Sequence, residues 1–368
     1  MGSSFLSFCF SNKKARPKNE QRTAFRFLKV LRFYNNKAMS TVYHIWWKMS
    51  NYCIISAMNF WDKMPKNFTC LAPMEGVTNI AFRQVVAKAA RPDIFFTEFT
   101  NVNSYSSEKG RPNALERLKY EPTERPIVAQ IWGKNPAMFA ETVAAVRDLG
   151  YEAVDINMGC PDRHVVATGG GSGLIRTPEL AVEILRAAQA VEGITVSVKT
   201  RLGYSKIDEW RPWLTALLNE HPAALTVHLR TKKEMSKVAA HYELIPDIVA
   251  FKNELSPETK LIINGDIKSA TEAEKFAEQG VDGIMIGRGV FQNPFCFERA
   301  PKEHSREELL DLMRYHLDLY EKYQLQPYDP LKHFYKIYIN NFPGASELRA
   351  KLMETKDIAS AREIIDKL

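Results

Sequence analysis

AVDINMG, residues 153–159, is a short, apolar, β-rich run that ends in a glycine-bearing tip and is followed at once by Cys160 and Pro161. Proline disfavours continuation of regular structure in the residue before it, so Cys160 is expected in an irregular loop after a strand. Runs of the same kind lie on both sides. FTCLAPM (68–74), DIFFTEF (93–99) and PIVAQIW (126–132) precede it. ITVSVKTR (194–201), ALTVHLR (224–230), KLIINGD (260–266) and DGIMIGR (282–288) follow it. Amphipathic segments separate them, among them PAMFAETVAAVRDLG (136–150), with apolar residues at three- and four-residue steps. TPELAVEILRAAQAV (177–191) adds a helix start, with Thr177 at the cap, Pro178 in the first turn and Glu179 beside it.

Eight such strands alternating with helices predict a closed (β/α)8 TIM barrel, and continuous apolar strands suit a parallel sheet buried on both faces. A doubly wound sheet is the alternative, but no GxGxxG follows the first strand. After Pro301 the pattern becomes helical throughout, as in REELLDLMRYHLDLYEKY (306–323) and DPLKHFYKIYINNF (329–342), punctuated by Pro327, Pro330 and the Phe342-Pro343-Gly344 turn. The expected organisation is a basic extension over 1–57, a barrel over 58–300 and a small all-helical domain over 301–368.

The net charge of +7 is unevenly distributed. Residues 1–57 hold ten Lys and Arg against Glu20 alone, so the rest of the chain nets −2. The basic pI therefore describes the arm and not the folded body. That arm reads like a transit peptide or a basic membrane-surface helix, without the apolar h-region of a secretory signal. Met39, Met49, Met58 and Met64 are alternative starts, and the function of the arm is unassigned. No apolar stretch reaches 18 residues, so no membrane span is expected. The five cysteines, Cys9, Cys53, Cys70, Cys160 and Cys296, are scattered, odd in number and without CxxC. This predicts neither a disulfide framework nor a metal site, and a reducing, cytoplasmic setting.

In a barrel the catalytic groups come from the C-terminal strand ends and the loops after them. Here those ends carry Pro73-Met74, Glu98, Gln130, Asn157 with Cys160, Lys199 with Arg201, His228 with Arg230, Asn264-Gly265-Asp266 and Gly287-Arg288-Gly289. Singly each has a plain structural explanation: Gln130 or Asn264 could cap a strand, and His228 could be a core histidine. Their common position on one rim favours a ligand site. The set suits an anionic, planar, hydrogen-bonding ligand. Backbone N–H groups at Gly265 and Gly287–Arg288 can approach a phosphate, and Arg288 adds a fork of donors. Gln130 and Asn157 match the edge of a pyrimidine-like ring, and Lys199 can stabilise negative charge on it.

APMEGVTNIAFR (72–83), AQIWG (129–133), DINMGCP (155–161), VKTRLG (198–203), NGDI (264–267) and IGRG (286–289) resemble the signature set of the tRNA-dihydrouridine synthases, FMN-dependent TIM barrels. NNFPGASELRAKLME (340–354) resembles their helical C-terminal domain, and the likeness runs from Thr69 to the C-terminus. It implies reduction of the C5=C6 bond of specific uridines in tRNA, using FMN reduced by NADPH or NADH. Pro73 and Met74 would then lie against the flavin, and Gln130 and Lys199 at its pyrimidine portion. His228, Asn264, Gly265, Asp266, Gly287 and Arg288 would hold the ribityl chain and phosphate. Asn157 would sit near flavin and base, and Cys160 would be the proton donor. Leu229 departs from the family, which places a small residue between this histidine and arginine.

The resemblance implies tRNA as partner; it implies no stable protein partner, and a monomer is expected. Residues 301–368 hold eleven basic against twelve acidic residues, so bulk charge does not argue for RNA binding there. Local candidates are Lys332, Lys336 and Arg349, with Arg163, His164 and Arg176 near the catalytic loop. A solvated charged face is the plain alternative for each. The run Gly169–Gly171 is read as a flexible rim segment at the substrate entrance, not as a phosphate loop. The competing functions are a flavin barrel that reduces a free pyrimidine or small enone, and a non-catalytic RNA- or membrane-binding barrel.

Overall fold

The computed structural model describes residues 59–340 and 342–368, so the basic arm and Cys9 and Cys53 lie outside the described residues. Eight strands form one parallel sheet: β1 (Phe68–Leu71), β2 (Phe95–Asn101), β3 (Ile127–Trp132), β4 (Ala153–Met158), β5 (Thr195–Arg201), β6 (Ala224–His228), β7 (Lys260–Asn264) and β8 (Gly283–Ile286). Each strand pairs with its sequence neighbours from β2 to β8, and β1 pairs with β8. The gap between β1 and β2 is bridged by Leu71 N–H donating to Ile94 O at 3.0 Å and Ile94 N–H donating to Thr69 O at 3.0 Å. The sheet therefore closes on itself as a TIM barrel, and the expected strands are present, with β1 and β8 stopping short of their polar tips and β6 and β7 ending on His228 and Asn264.

A helix follows each strand: α1 (Ile80–Ala89), α2 (Arg111–Arg117), α3 (Pro136–Asp148), α4 (Pro178–Gln189), α5 (Trp210–Leu218), α6 (Ile245–Leu255), α7 (Ala273–Ala277) and α8 (Gly289–Gln292). Caps explain several starts. The side chains of Asn79 and Asn135 accept backbone N–H groups at the heads of α1 and α3. Thr177 occupies the cap of α4 as expected, but its side chain makes no cap bond, and Pro178 carries the start.

Burial divides into two clusters because strand side chains alternate. The larger lies between the strands and the helices around them, with Val154, Ile156, Val198 and Leu225 among its members. The smaller fills the barrel itself with Phe68, Cys70, Phe96, Val128, Ile262 and Met285. Trp61 joins this inner set, its ring 5.9 Å from Phe68 and 6.3 Å from Phe96. Phe60 and Trp61 come from a 3-10 turn (Phe60–Lys63) capped by Asn59. The interior below the rim is thus packed, which leaves the C-terminal strand ends as the place for a cavity.

Past Pro301 the chain forms α9 (Arg306–Lys322), a turn and short helix over 329–338, α10 (Ala345–Glu354) and α11 (Ile358–Ile365). Ser305 and Glu308 form a reciprocal capping box at the head of α9. Leu310, Leu317, Phe334, Tyr338 and Ile365 belong to the same cluster as the outer core of the barrel. At the seam the Phe82 ring of α1 lies 4.7 Å from Phe334 and 5.8 Å from His316. Among the described residues no helix is long and apolar enough to cross a membrane.

Candidate active site

The site begins with a buried carboxylate. Asp155, fully buried in β4, accepts Gln130 Nε2 at 2.7 Å and Ser197 Oγ at 2.8 Å. Burial pushes its pKa up to about 6, against the pull of those two donors and of Lys199. With its amide NH2 held by Asp155, Gln130 has its Oε1 fixed, and that oxygen accepts Asn157 Nδ2 at 2.9 Å. Asn157 Oδ1 in turn accepts the backbone N–H of Gly159 at 3.1 Å and of Cys160 at 2.9 Å. One chain of hydrogen bonds therefore runs from the interior of β4 to the peptide of Cys160. It orders the two amides by specifying which end of each is donor.

Cys160 is half-buried and free. Burial raises its thiol pKa, opposed chiefly by the neighbouring backbone N–H of Asp162. The thiol is accordingly protonated at neutral pH. Arg201, buried at the end of β5, donates from Nε to Gly159 O at 2.8 Å and from its terminal nitrogen to Thr231 O and Met235 O at 3.1 and 3.0 Å. It ties the Cys160 loop to the loop after β6 and brings a positive charge toward the sulfur.

The other half of the rim is cationic. Lys199 donates to Asn264 Oδ1 at 3.1 Å, and Asn264 Nδ2 donates to Met285 O at 2.8 Å. Burial and the neighbouring Arg201 pull the Lys199 pKa down to about 8. His228 is held neutral, its pKa driven well below the usual value by burial and then by Arg201, Lys199, Arg230 and Arg288. Asp266 binds Arg230 and accepts Arg288 at 3.0 Å, so its carboxylate orients two guanidinium groups. Gly265 before it has φ +122°, and a Cβ there would stand 3.1 Å from Ala240 Cβ and 3.2 Å from His228 Cδ2. Glycine is required there both by conformation and by the closeness of the histidine ring.

These groups surround a cavity of about 450 Å³. Pro73, Met74, Gln130, Asn157, Cys160, Lys199, His228, Asn264, Gly265, Asp266, Gly287 and Arg288 all line it, so every residue expected to touch a cofactor or to donate the proton is brought together. The RNA candidates do not line it. Arg163 and His164 are exposed on the short helix Arg163–Ala167, and Arg176 lies over the Tyr204 ring at 4.4 Å. Lys332 is paired with Asp329 at 2.9 Å, Lys336 is exposed, and Arg349 donates to Ile339 O at 2.6 Å. Leu229 is buried in the outer core, with its N–H bonded to Asn264 O at 3.0 Å, so its bulk points away from the cavity.

One expectation is overturned. Gly170 and Gly171 are buried, and residues 171–176 form a 3-10 helix packed behind the Cys160 loop. Ser172 N–H donates to Cys160 O at 3.0 Å. A Cβ on Gly171 would lie 2.7 Å from Val165 Cγ1 and 2.9 Å from Cys160 O, and its φ is +54°. The glycines permit close packing rather than rim flexibility. Sequence reasoning also passed over Asp155, Ser197 and Phe99. A carboxylate inside an otherwise apolar strand was the available signal for Asp155. Phe99 lines the cavity because the β2–β3 register shifts between Phe96 and Phe99, a bulge that no local pattern announces.

A closed parallel barrel with a cationic, amide-lined cavity at its C-terminal strand ends belongs to the class of (β/α)8-barrel enzymes, which carry their chemistry on that face. Residues 70–367 match the family model described as Dihydrouridine synthase (Dus), and the chain belongs to that family. It is 53% identical over 312 residues to the Probable tRNA-dihydrouridine synthase 2 of Bacillus subtilis strain 168, covering 84% of this chain and 96% of that one. It is 52% identical to a Probable tRNA-dihydrouridine synthase of Staphylococcus epidermidis strain ATCC 12228, covering 84% and 95%. Among solved structures, morphinone reductase in complex with tetrahydroNAD aligns at 13% identity and a TM-score of 0.44, over 66% of this chain and 89% of that one.

Proposed function

We propose that the chain reduces the C5=C6 bond of specific uridines in tRNA to dihydrouridine, with FMN bound in the rim cavity supplying hydride to C6 and NADPH or NADH as the source of that hydride. The observation that carries this reading is the convergence of the twelve expected residues, from seven of the eight strand ends, on one cavity. Its chemistry fits FMN. Lys199, Arg201, Lys268 and Arg288 line it against the one carboxylate Asp266, itself bound to two arginines, which suits a phosphate and an electron-rich ring. Arg288 and the peptides of Gly265 and Gly287 would take the phosphate. Asn264 and neutral His228 would take the ribityl chain. Gln130 and Lys199 would take the pyrimidine edge, with Pro73 and Met74 against the ring.

The residues of the chain then divide the remaining work. The Cys160 thiol, protonated because burial raises its pKa, gives its proton to C5. The thiolate that forms is stabilised by the Asp162 N–H and by the charge of Arg201, and water restores its proton. Asn157 positions the thiol through the Cys160 peptide. A stacked uracil must be extruded to reach this depth. Arg163, His164 and Arg176 near the Cys160 loop, and Lys332, Lys336 and Arg349 in the C-terminal helices, are proposed contacts for the RNA backbone. We read the protein as a cytoplasmic monomer.

The test is mass spectrometry of tRNA from a dihydrouridine-lacking strain after incubation with the purified protein, FMN and NADPH. Two hydrogens are gained at a defined uridine. In Cys160→Ala the bound flavin and NADPH oxidation persist, while dihydrouridine formation falls about 10²–10⁴-fold. Wild-type protein that reduces free uracil and leaves tRNA untouched would replace this reading with the free-pyrimidine one.

A further inference from the structure

A second cavity of about 490 Å³ adjoins the first, and Phe99 and Cys160 form part of the wall of both. We propose that it receives the base of a nucleotide directly flanking the target uridine. The inference rests on the tRNA reading above. It names a subsite beyond the flavin and uracil, on the side of the thiol that faces β2 and β3.

The charges of this cavity are already engaged. Arg117 of α2 holds Glu75 through both terminal nitrogens, at 2.7 and 2.6 Å. Asp162 Oδ1 accepts the N–H groups of His164 and Val165 at 2.9 and 3.3 Å, capping the helix after Cys160. Two carboxylates against one bound guanidinium disfavour a phosphate or pyrophosphate, and so the dinucleotide reductant. What the walls offer is neutral. Ser104 and Asn113 present a hydroxyl and an amide, and Trp132, at the end of β3, presents an indole. These are the groups that read the edge and the face of a nucleobase.

The indole is held in place. A Cβ on Gly170 would lie 3.1 Å from Trp132 Cε3, so the bare glycine backbone packs against the ring. The same 169–171 segment that braces Cys160 thus braces Trp132 as well. A ligand that puts one base against Cys160 and continues as a chain has its next base at this opening. A free pyrimidine has nothing to put there.

The experiment uses the full chain and tRNA from a dihydrouridine-lacking strain, with the nucleotide on each side of the reduced uridine replaced in turn by an abasic one. Trp132→Ala is expected to raise KM for tRNA about tenfold, with the loss partly restored in Trp132→Phe. KM for NADPH and the rate of NADPH oxidation should not change. One abasic substitution should raise KM of the wild type by a similar factor and add little to Trp132→Ala. Asn113→Ala, exposed on α2, carries the same expectation should Trp132→Ala fold poorly. Unchanged KM for tRNA in the folded variants, an abasic effect undiminished in Trp132→Ala, or a raised KM for NADPH would each overturn the subsite while leaving the tRNA reading intact. Wild-type protein inactive on every tRNA would overturn both.

Discussion

Lys199 stands where desolvation and a neighbouring arginine meet, and its pKa of about 8 makes its charge sensitive to pH just above neutrality. Protonated, it favours an anionic ligand; neutral, it does not. Affinity of the apoprotein for FMN should therefore fall as pH rises through 8 and above, since a bound anion itself raises the lysine pKa. Fluorescence quenching of FMN across pH 7–10 measures this. Lys199→Met should flatten the pH step and weaken binding at neutral pH about tenfold or more, the ordinary worth of a hydrogen bond to a charged group. At this scale much was legible. Lys199, Cys160 and Arg288 announced themselves as polar residues at the tips of apolar runs. Asp155 did not, because it orients Gln130 and Asn157 from below and lines neither of the two cavities.

On the proposed reading, the chemistry depends most on the loop from β4 to α4. Its conformation is held from one side by Asn157 and Arg201 and from the other by the buried Gly170–Ile175 backbone. Gly171→Ala introduces a Cβ into Val165 and Cys160 at a left-handed φ. Strain and overpacking together should cost about 2–4 kcal/mol of stability, read as a shift in the denaturation midpoint. Turnover of tRNA should fall more than NADPH oxidation, because the displaced group is the thiol loop and not the cationic half of the rim. The triple glycine was visible in sequence, but glycine serves mobility and close packing alike. Only the neighbours within 3 Å of the missing Cβ separate the two.

For the whole molecule, the C-terminal helices are docked through an aromatic seam in which Phe82, Phe291, His316 and Phe334 meet. Tyr338 supplies the hydroxyl bound to His316 Nδ1 at 2.9 Å. His316 is buried and stays neutral, its pKa pushed down to about 3 by desolvation alone. Phe334→Ala should cost about 3–5 kcal/mol, measured by chemical denaturation of the full chain. Removal of residues 302–368 would strip the cover from α1 and α8. Loss of the soluble barrel is expected from that truncation, measured as soluble yield.

By itself the sequence determined the barrel, the order of its strands and the residues at their tips, because strand periodicity and tip chemistry are local properties written in consecutive residues. It also singled out a helical segment after Pro301. The tertiary structure decided which tips share a cavity, that Leu229 turns its bulk into the core, and that the glycine run is a brace. It decided as well that the last helices share the outer core of the barrel. Each of these depends on atoms far apart in the chain coming within a few ångströms, and a hydrogen bond or a van der Waals contact exists only at that range.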